Sequence, residues 1–171
     1  QHSSLLGTQY MNIDTNAAAG TAATVWNSTL ATTTEFSLGT DTTGNKNTDS
    51  YVGYFWANSG PYSFGIYTGN NVADGPFLNF GGGTKTCFMK RSAAADSWAY
   101  SGIDLTPANP RDDLVWMDLT TALTTAAVAQ WDFTSTGLKH RATGANSYAN
   151  SAIPYIYGAF GIQPLTDGAV N

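Results

Sequence analysis

The groups in this sequence that could do chemistry are few and far apart. His2 and His140 are the only imidazoles. A serine-histidine-acid arrangement requires an imidazole within reach of a hydroxyl. His2 lies at a terminus expected to fray, His140 stands between Lys139 and Arg141, and no G-x-S-x-G elbow is present. Glycoside hydrolysis requires two opposed carboxylates. The only glutamate is Glu35, and Asp112-Asp113 are adjacent in a loop expected to be solvated, so only aspartates brought together by the fold would supply that pair. Cys87 has no sequence neighbour that would activate it and no second cysteine to pair with, so it reads as a small buried hydrophobe.

Metal and phosphate chemistry fare no better. One cysteine and two distant histidines do not match a zinc site. Asp41, Asn45, Asn47 and Asp49 offer alternating oxygens around Gly44, yet their spacing is not that of the twelve-residue calcium loop, and an Asx-rich hairpin accounts for them equally well. In Gly81-Gly82-Gly83-Thr84-Lys85 a threonine separates glycine from lysine and a strand follows, so the stretch reads as a turn and not as a phosphate loop. The expectation is a protein that is not an enzyme, with no catalytic residue, no metal and no cofactor. The aromatic residues offer one binding chemistry, the stacking of sugars on exposed rings beside short polar side chains. Most fall in strands, where core packing explains them. Trp98 and Tyr100, next to the polar loop 92–97, are the candidates for a glycan contact.

Composition sets the class. Only 11% of the 171 residues are charged, while 42% are hydrophobic and 13% aromatic. That is too apolar for charge-driven disorder and describes a neutral-surfaced β protein. Seven basic residues against twelve acidic ones give a net charge of −5. Without a clustered basic face to displace counterions, nucleic acid is not an expected partner. No apolar run reaches the length of roughly 20 residues that crosses a bilayer, so no membrane insertion is expected. The chain starts with Gln1 in place of Met, which suggests removal of a segment or a longer polypeptide.

The elements that must position these residues are mainly strands. Residues 35–38, 51–57, 63–67, 84–90, 98–100, 114–117, 131–133, 137–140 and 155–161 carry β-branched or aromatic alternation between turn formers. Tyr51-Val52-Gly53-Tyr54-Phe55-Trp56-Ala57 is the strongest signal and, apolar on both faces, should lie centrally in a sheet. The Ala/Thr stretch 120–130 is the best helix candidate. Between residues 67 and 77 two turn signals, Gly69-Asn70 and Asp74-Gly75-Pro76, reverse the chain between anchored rings. The fold class is therefore all-β, an antiparallel sandwich or jelly roll with at most one or two short helices.

The sequence also repeats itself. Met11-Asn12-Ile13-Asp14-Thr15 resembles Met117-Asp118-Leu119-Thr120-Thr121, and each is followed by an Ala/Thr stretch and a tryptophan, Trp26 or Trp131. Phe36-Ser37-Leu38-Gly39 then corresponds to Leu138-Lys139-His140-Arg141, and the run from Tyr51 to the run from Tyr155. The expected organisation is a first repeat unit at 1–62, a connecting hairpin region at 63–83 and a more complete second unit at 84–171, in one β domain. The first unit lacks its opening strand, so a longer chain or a neighbouring subunit would supply it.

Laid out in this way, the chain is similar to an uncharacterised β-rich domain family at the C-terminal ends of tailed-phage virion proteins, often next to concanavalin A-like lectin modules. The matching stretches are Phe64-Gly65-Ile66-Tyr67-Thr68-Gly69-Asn70, Ala73-Asp74-Gly75-Pro76-Phe77, Phe88-Met89-Lys90-Arg91 with Trp98, Asn109-Pro110, Asp132-Phe133 through Gly137 and Tyr155-Ile156-Tyr157-Gly158-Ala159-Phe160, with Trp26-Asn27-Ser28-Thr29 and Phe36-Ser37-Leu38-Gly39 in the first copy. Ile162 stands where the family usually has an acidic residue. The resemblance implies a surface-exposed virion location and no catalytic residue to carry over. The expected function is a structural module of a tail fibre or appendage; the alternatives are a capsid decoration protein and a carbohydrate-binding module for the host surface. Expected partners are copies of the chain itself, as a homotrimer, other virion proteins and a host-surface glycan.

Overall fold

The computed structural model describes residues 1–143, 148–161 and 163–164. Its elements in chain order are β1 (Gln9–Tyr10), β2 (Gly20–Thr21), α1 (Thr42–Asn45), β3 (Tyr62–Thr68), β4 (Phe77–Asn79), β5 (Gly82–Gly83) and β6 (Thr86–Arg91). There follow β7 (Ala99–Gly102), β8 (Asp113–Trp116), β9 (Thr124–Thr125), β10 (Trp131–Phe133), β11 (Gly137–His140), β12 (Pro154–Phe160) and β13 (Gln163–Pro164). The expected all-β, antiparallel architecture with a single short helix is what the chain adopts. A six-stranded sheet runs β3-β12-β6-β7-β8-β9, a three-stranded sheet runs β10-β11-β4, and two short ribbons, β1-β2 and β13-β5, complete it.

Strand alternation sorts the side chains of the large sheet onto two faces. On one, Tyr67, Tyr155, Ala159, Cys87, Met89, Ala99 and Leu114 pack against Leu78, Trp131, Phe133 and Leu138 of the three-stranded sheet, forming the main core of a sandwich. On the other, Ile156 and Phe88 meet Leu5, Met11, Ala19 and Trp98 under a layer of N-terminal chain.

Close approach of rings over the central strand explains one glycine. Phe64 and Phe88 lie directly opposite Gly158 on either side of β12. A Cβ there would stand 2.6 Å from the Phe88 ring and 2.9 Å from that of Phe64. The bare backbone lets Phe64, Phe160, Phe88 and Trp98 form a row across the sheet with centroid separations of 5.5, 5.7 and 5.6 Å.

Residues 69–76 carry the chain from β3 across to β4, and one buried amide holds them. Asn150 accepts from the Asn70 N–H through Oδ1 at 3.0 Å and donates through Nδ2 to Val72 O and Ala142 O, both at 2.9 Å. Its backbone carbonyl accepts from the Asn71 N–H at 2.7 Å. A side chain at Gly69 would collide with Ser151 O, and one at Gly75 with His140. The Asn70 side chain donates to Asp74 O at 3.0 Å, Lys139 pairs with Asp74 at 2.6 Å, and the His140 N–H donates to Pro76 O at 3.1 Å. His140 itself is buried beside the Tyr67 ring, 4.7 Å between centroids, and its Nε2 has no hydrogen-bond partner. Burial, with Lys139 adding to it, pushes the imidazole down to about 3.

Several expected elements are not formed. Residues 35–38 and 51–57 are not strands, although their counterparts in the second repeat unit, in β11 and β12, are. The two slots beside β12 are filled by β3 and β6, in registers of seven and six residue pairs, so the segment 51–57 has no place next to it. The stretch 120–130 is not a helix. Thr124 and Thr125 pair with Leu114 and Asp113, the Ala126 N–H donates to Asp112 O, and the Gln130 N–H to Arg111 O, bonds that draw the backbone away from a helical ladder. Asn146, placed in a loop by the sequence, and Ile162 lie outside the described residues.

Two outcomes follow for stability. Gly158→Val drives a branched side chain into both rings and costs about 3 kcal/mol, whereas Gly44→Ala, with nothing within 4 Å of its Cβ, is neutral or mildly stabilising; urea denaturation of the two variants measures the contrast. His140 is neutral when folded and titrates near its ordinary value of 6.5 when unfolded. The unfolded chain thus binds the extra proton, and this contribution to stability is full above pH 6.5 and falls by up to about 1.4 kcal/mol per unit as pH drops toward 3. Denaturation midpoints for the wild type and His140→Gln from pH 7 to 4 check this, with the variant showing the shallower acid dependence.

Candidate functional site

The feature of this surface that could meet another molecule is an apolar groove between the N-terminal layer and the outer face of the large sheet. Its volume is about 1570 Å³. Phe64, Phe88 and Ile156 form its floor from β3, β6 and β12; Leu30, Phe36 and residues 51–56 form its walls.

The walls are built from loops held by side chains. Trp26 donates through Nε1 to Gln9 O at 3.0 Å, Gln1 bonds Thr29 O and the Ala31 N–H, each at 3.0 Å, and Asn45 donates to Gly39 O at 2.7 Å. Residues 51–57 border the floor, and their rings point alternately toward and away from the sheet. Trp56 meets Phe160 edge-on at 5.6 Å and stacks with Tyr54 at 6.2 Å, while Phe55 turns the other way onto Phe36 at 4.4 Å. Sequence reading placed these rings inside a sheet. They are instead the largest exposed aromatic group among the described residues.

A buried ammonium fastens the layer to the sheet. Lys90 is 1% exposed, and its Nζ donates to Asn16 O, Ala17 O and Asp96 O at 2.8, 2.6 and 2.8 Å. Three carbonyls replace the water that an ammonium loses on burial. Desolvation still lowers its pKa, opposed by the charges of Asp118 and Asp96. The Ala19 N–H donates to Ser92 O at 2.9 Å and the Asp96 N–H to Asn16 O at 2.8 Å, so the N-terminal chain is pinned across the loop 92–97, of which Ala93 and Ala95 stay exposed.

That cover corrects the glycan candidates. Trp98 is 4% exposed; its indole N–H donates to Asn12 O at 2.8 Å, and its ring meets Phe88 edge-on. It shares the face of the sheet that the N-terminal layer buries, so no sugar can stack on it. Tyr100 is half-buried, and partial burial followed by the charge of Asp104 raises its hydroxyl pKa. The two rings form no joint platform.

The other reactive groups are engaged in structure. His2 is not frayed: its Nε2 donates to Tyr157 O at 3.1 Å and its Nδ1 accepts from the Ser4 N–H at 3.1 Å, which sets the tautomer. Cys87 is buried, and its thiol pKa is raised by that burial. Asp113 accepts from Thr106 and Thr125 at 2.9 and 2.6 Å, Asp41 caps α1 through the Thr43 N–H, and Asp49 pairs with Lys46 at 3.1 Å. Gly82 and Gly83 are strand residues, and the Thr84 hydroxyl donates to Phe160 O at 2.9 Å, so this stretch is not arranged as a phosphate cradle. Among the described residues, no three His, Cys, Asp or Glu converge as a metal site. The groove can exclude water from an apolar surface laid into it.

Comparison with known proteins gives a family of unknown function. No curated protein and no solved structure matches the chain. The family model of a domain of unknown function, DUF7483, matches residues 1–164. With the match covering nearly the whole chain, this protein belongs to the DUF7483 family.

Proposed function

We propose that this chain is a non-enzymatic structural module of a tailed-bacteriophage particle, built into a tail fibre or another surface-exposed appendage and assembled as a homotrimer. The observation that carries the reading is the exposed aromatic group at residues 51–56 over an otherwise rigid sandwich. A soluble β domain has no use for such rings in water, and assembly with sister chains covers them. The low charge of the surface supports the same reading, because few ionic groups have to be desolvated when neutral faces meet. The likeness to tailed-phage virion domains, carried by Phe64 to Phe77 and Tyr155 to Phe160, supports the location on the particle.

Particles of a phage that encodes the chain decide the matter. Peptide mapping of purified virions is expected to recover this sequence, and gold-labelled antibody against it to decorate the tail. Decoration of the head moves the chain to the capsid decoration class. Absence from the particle overturns the reading.

A further inference from the structure

Two features of the same chain are complementary, and among the described residues each has main-chain groups without a partner. The first is the segment 51–57. Among the described residues none of its backbone N–H or C=O groups makes a hydrogen bond. Its side chains alternate, with Tyr54 and Trp56 turned to the sheet and Phe55 turned away. It has the alternating, two-faced apolar character of an inner strand, without the neighbours of one.

The second is the outer edge of β3. Among the described residues β3 pairs with β12 along its full length and with no other strand. The Phe64 N–H is met by Asn58 Oδ1 at 2.9 Å and the Tyr62 N–H by Ser59 O at 3.3 Å, which shows that even-numbered residues turn their main chain away from β12. Ile66 and Thr68 share that parity and have no backbone partner among the described residues. Open edges are ordinarily blunted by charge, by proline or by shortness. Here no Asp, Glu, Lys or Arg occurs between Asp49 and Asp74, and β3 is seven residues long.

We propose that residues 51–57 of one copy add as a strand to the outer edge of β3 in a second copy, so that each chain donates one strand and accepts another. This rests on the reading of the chain as a self-assembling appendage module, and it names the surface by which it assembles. Within one chain the segment lies across the face of the sheet, with Trp56 seated on Phe160, and the turn ending in Pro61 leads directly into β3. A neighbour's edge is open at Ile66 and Thr68, its Tyr62 and Phe64 N–H groups being met by its own Ser59 and Asn58.

The area is sufficient. Tyr51, Tyr54, Phe55 and Trp56 are 48, 74, 64 and 50% exposed, which at ~200 Å² for a whole aromatic side chain leaves roughly 500 Å² open on each copy. Val52, Ile66 and Phe36, also exposed, raise this to roughly 700 Å², and an equal area on the partner takes the contact past the roughly 1,000 Å² that a specific interface requires. Main-chain bonds to the edge add register and direction, as in other strand-addition contacts.

Light scattering on the purified chain, coupled to size exclusion, tests this with two variants. Ile66→Pro removes an outward N–H and leaves the ladder to β12 unbroken; Val52→Lys with Tyr54→Lys charges the donor segment at exposed positions. The wild type is expected at two or more times the mass of the chain, and both variants at the mass of one chain with the near-ultraviolet dichroism of a folded core. Should Ile66→Pro fail to fold, the double lysine variant alone decides. A monomeric wild type overturns the proposal, as does an oligomer that survives the variants. The virion reading is judged separately by particle mapping, so a monomer found on the tail sinks the strand exchange alone, and a strand-exchanged oligomer absent from particles sinks the virion reading alone.

Discussion

The whole arrangement depends on the seven residues of β12 being satisfied on both edges and both faces at once. A strand in that position must find main-chain partners left and right and side-chain partners above and below. β3 and β6 supply the first, the three-stranded sheet and the N-terminal layer the second. Gly158 is the point where these demands meet, because two phenyl rings converge over it from opposite strands. With β3 and β6 on both of its edges, β12 leaves no place beside it for the segment 51–57.

Much of the fold was legible because its strands alternate. The stretches at 63–67, 84–90, 114–117, 131–133 and 155–161 switch between core and opposite face at every residue, and the sandwich keeps that pattern. The failures share one cause: sequence reports what a segment is suited to, and the fold decides whether a place is open. Residues 51–57 suit an inner strand, but the pairing of β12 leaves them outside. Residues 120–130 suit a helix by composition, but the backbones of Arg111, Asp112 and Leu114 claim their bonds. Trp98 was placed at the rim because a polar loop precedes it, and the cover supplied by Asn12, Asn16 and Ala17 from the far end of the chain leaves no local trace. The exposed aromatic group at 51–56 was visible as residues, yet its position on the surface was not.

Buried polar groups in this protein act as positioning devices. Asn150 gathers the crossing between the two sheets, and Lys90 gathers three carbonyls from two separate segments. Each satisfies groups that have no ladder partner, which is how irregular chain can be held against a sheet without becoming part of it. His140 contributes in the opposite sense: with no partner for Nε2, it tolerates its site only as the neutral ring.

The manner in which the N-terminal layer is attached has a dynamic consequence. The layer contributes no strand to either large sheet; it is joined through the Lys90 ammonium, the His2, Trp56 and Trp98 rings, two main-chain bonds and a small apolar cluster. Attachments of that kind release together, and the ladders beneath them need not break when they do. Two tiers of protection against hydrogen exchange are therefore expected, a layer that opens as one unit and a sandwich that keeps its amides until global unfolding. The rings of residues 51–56 travel with the tier that opens first.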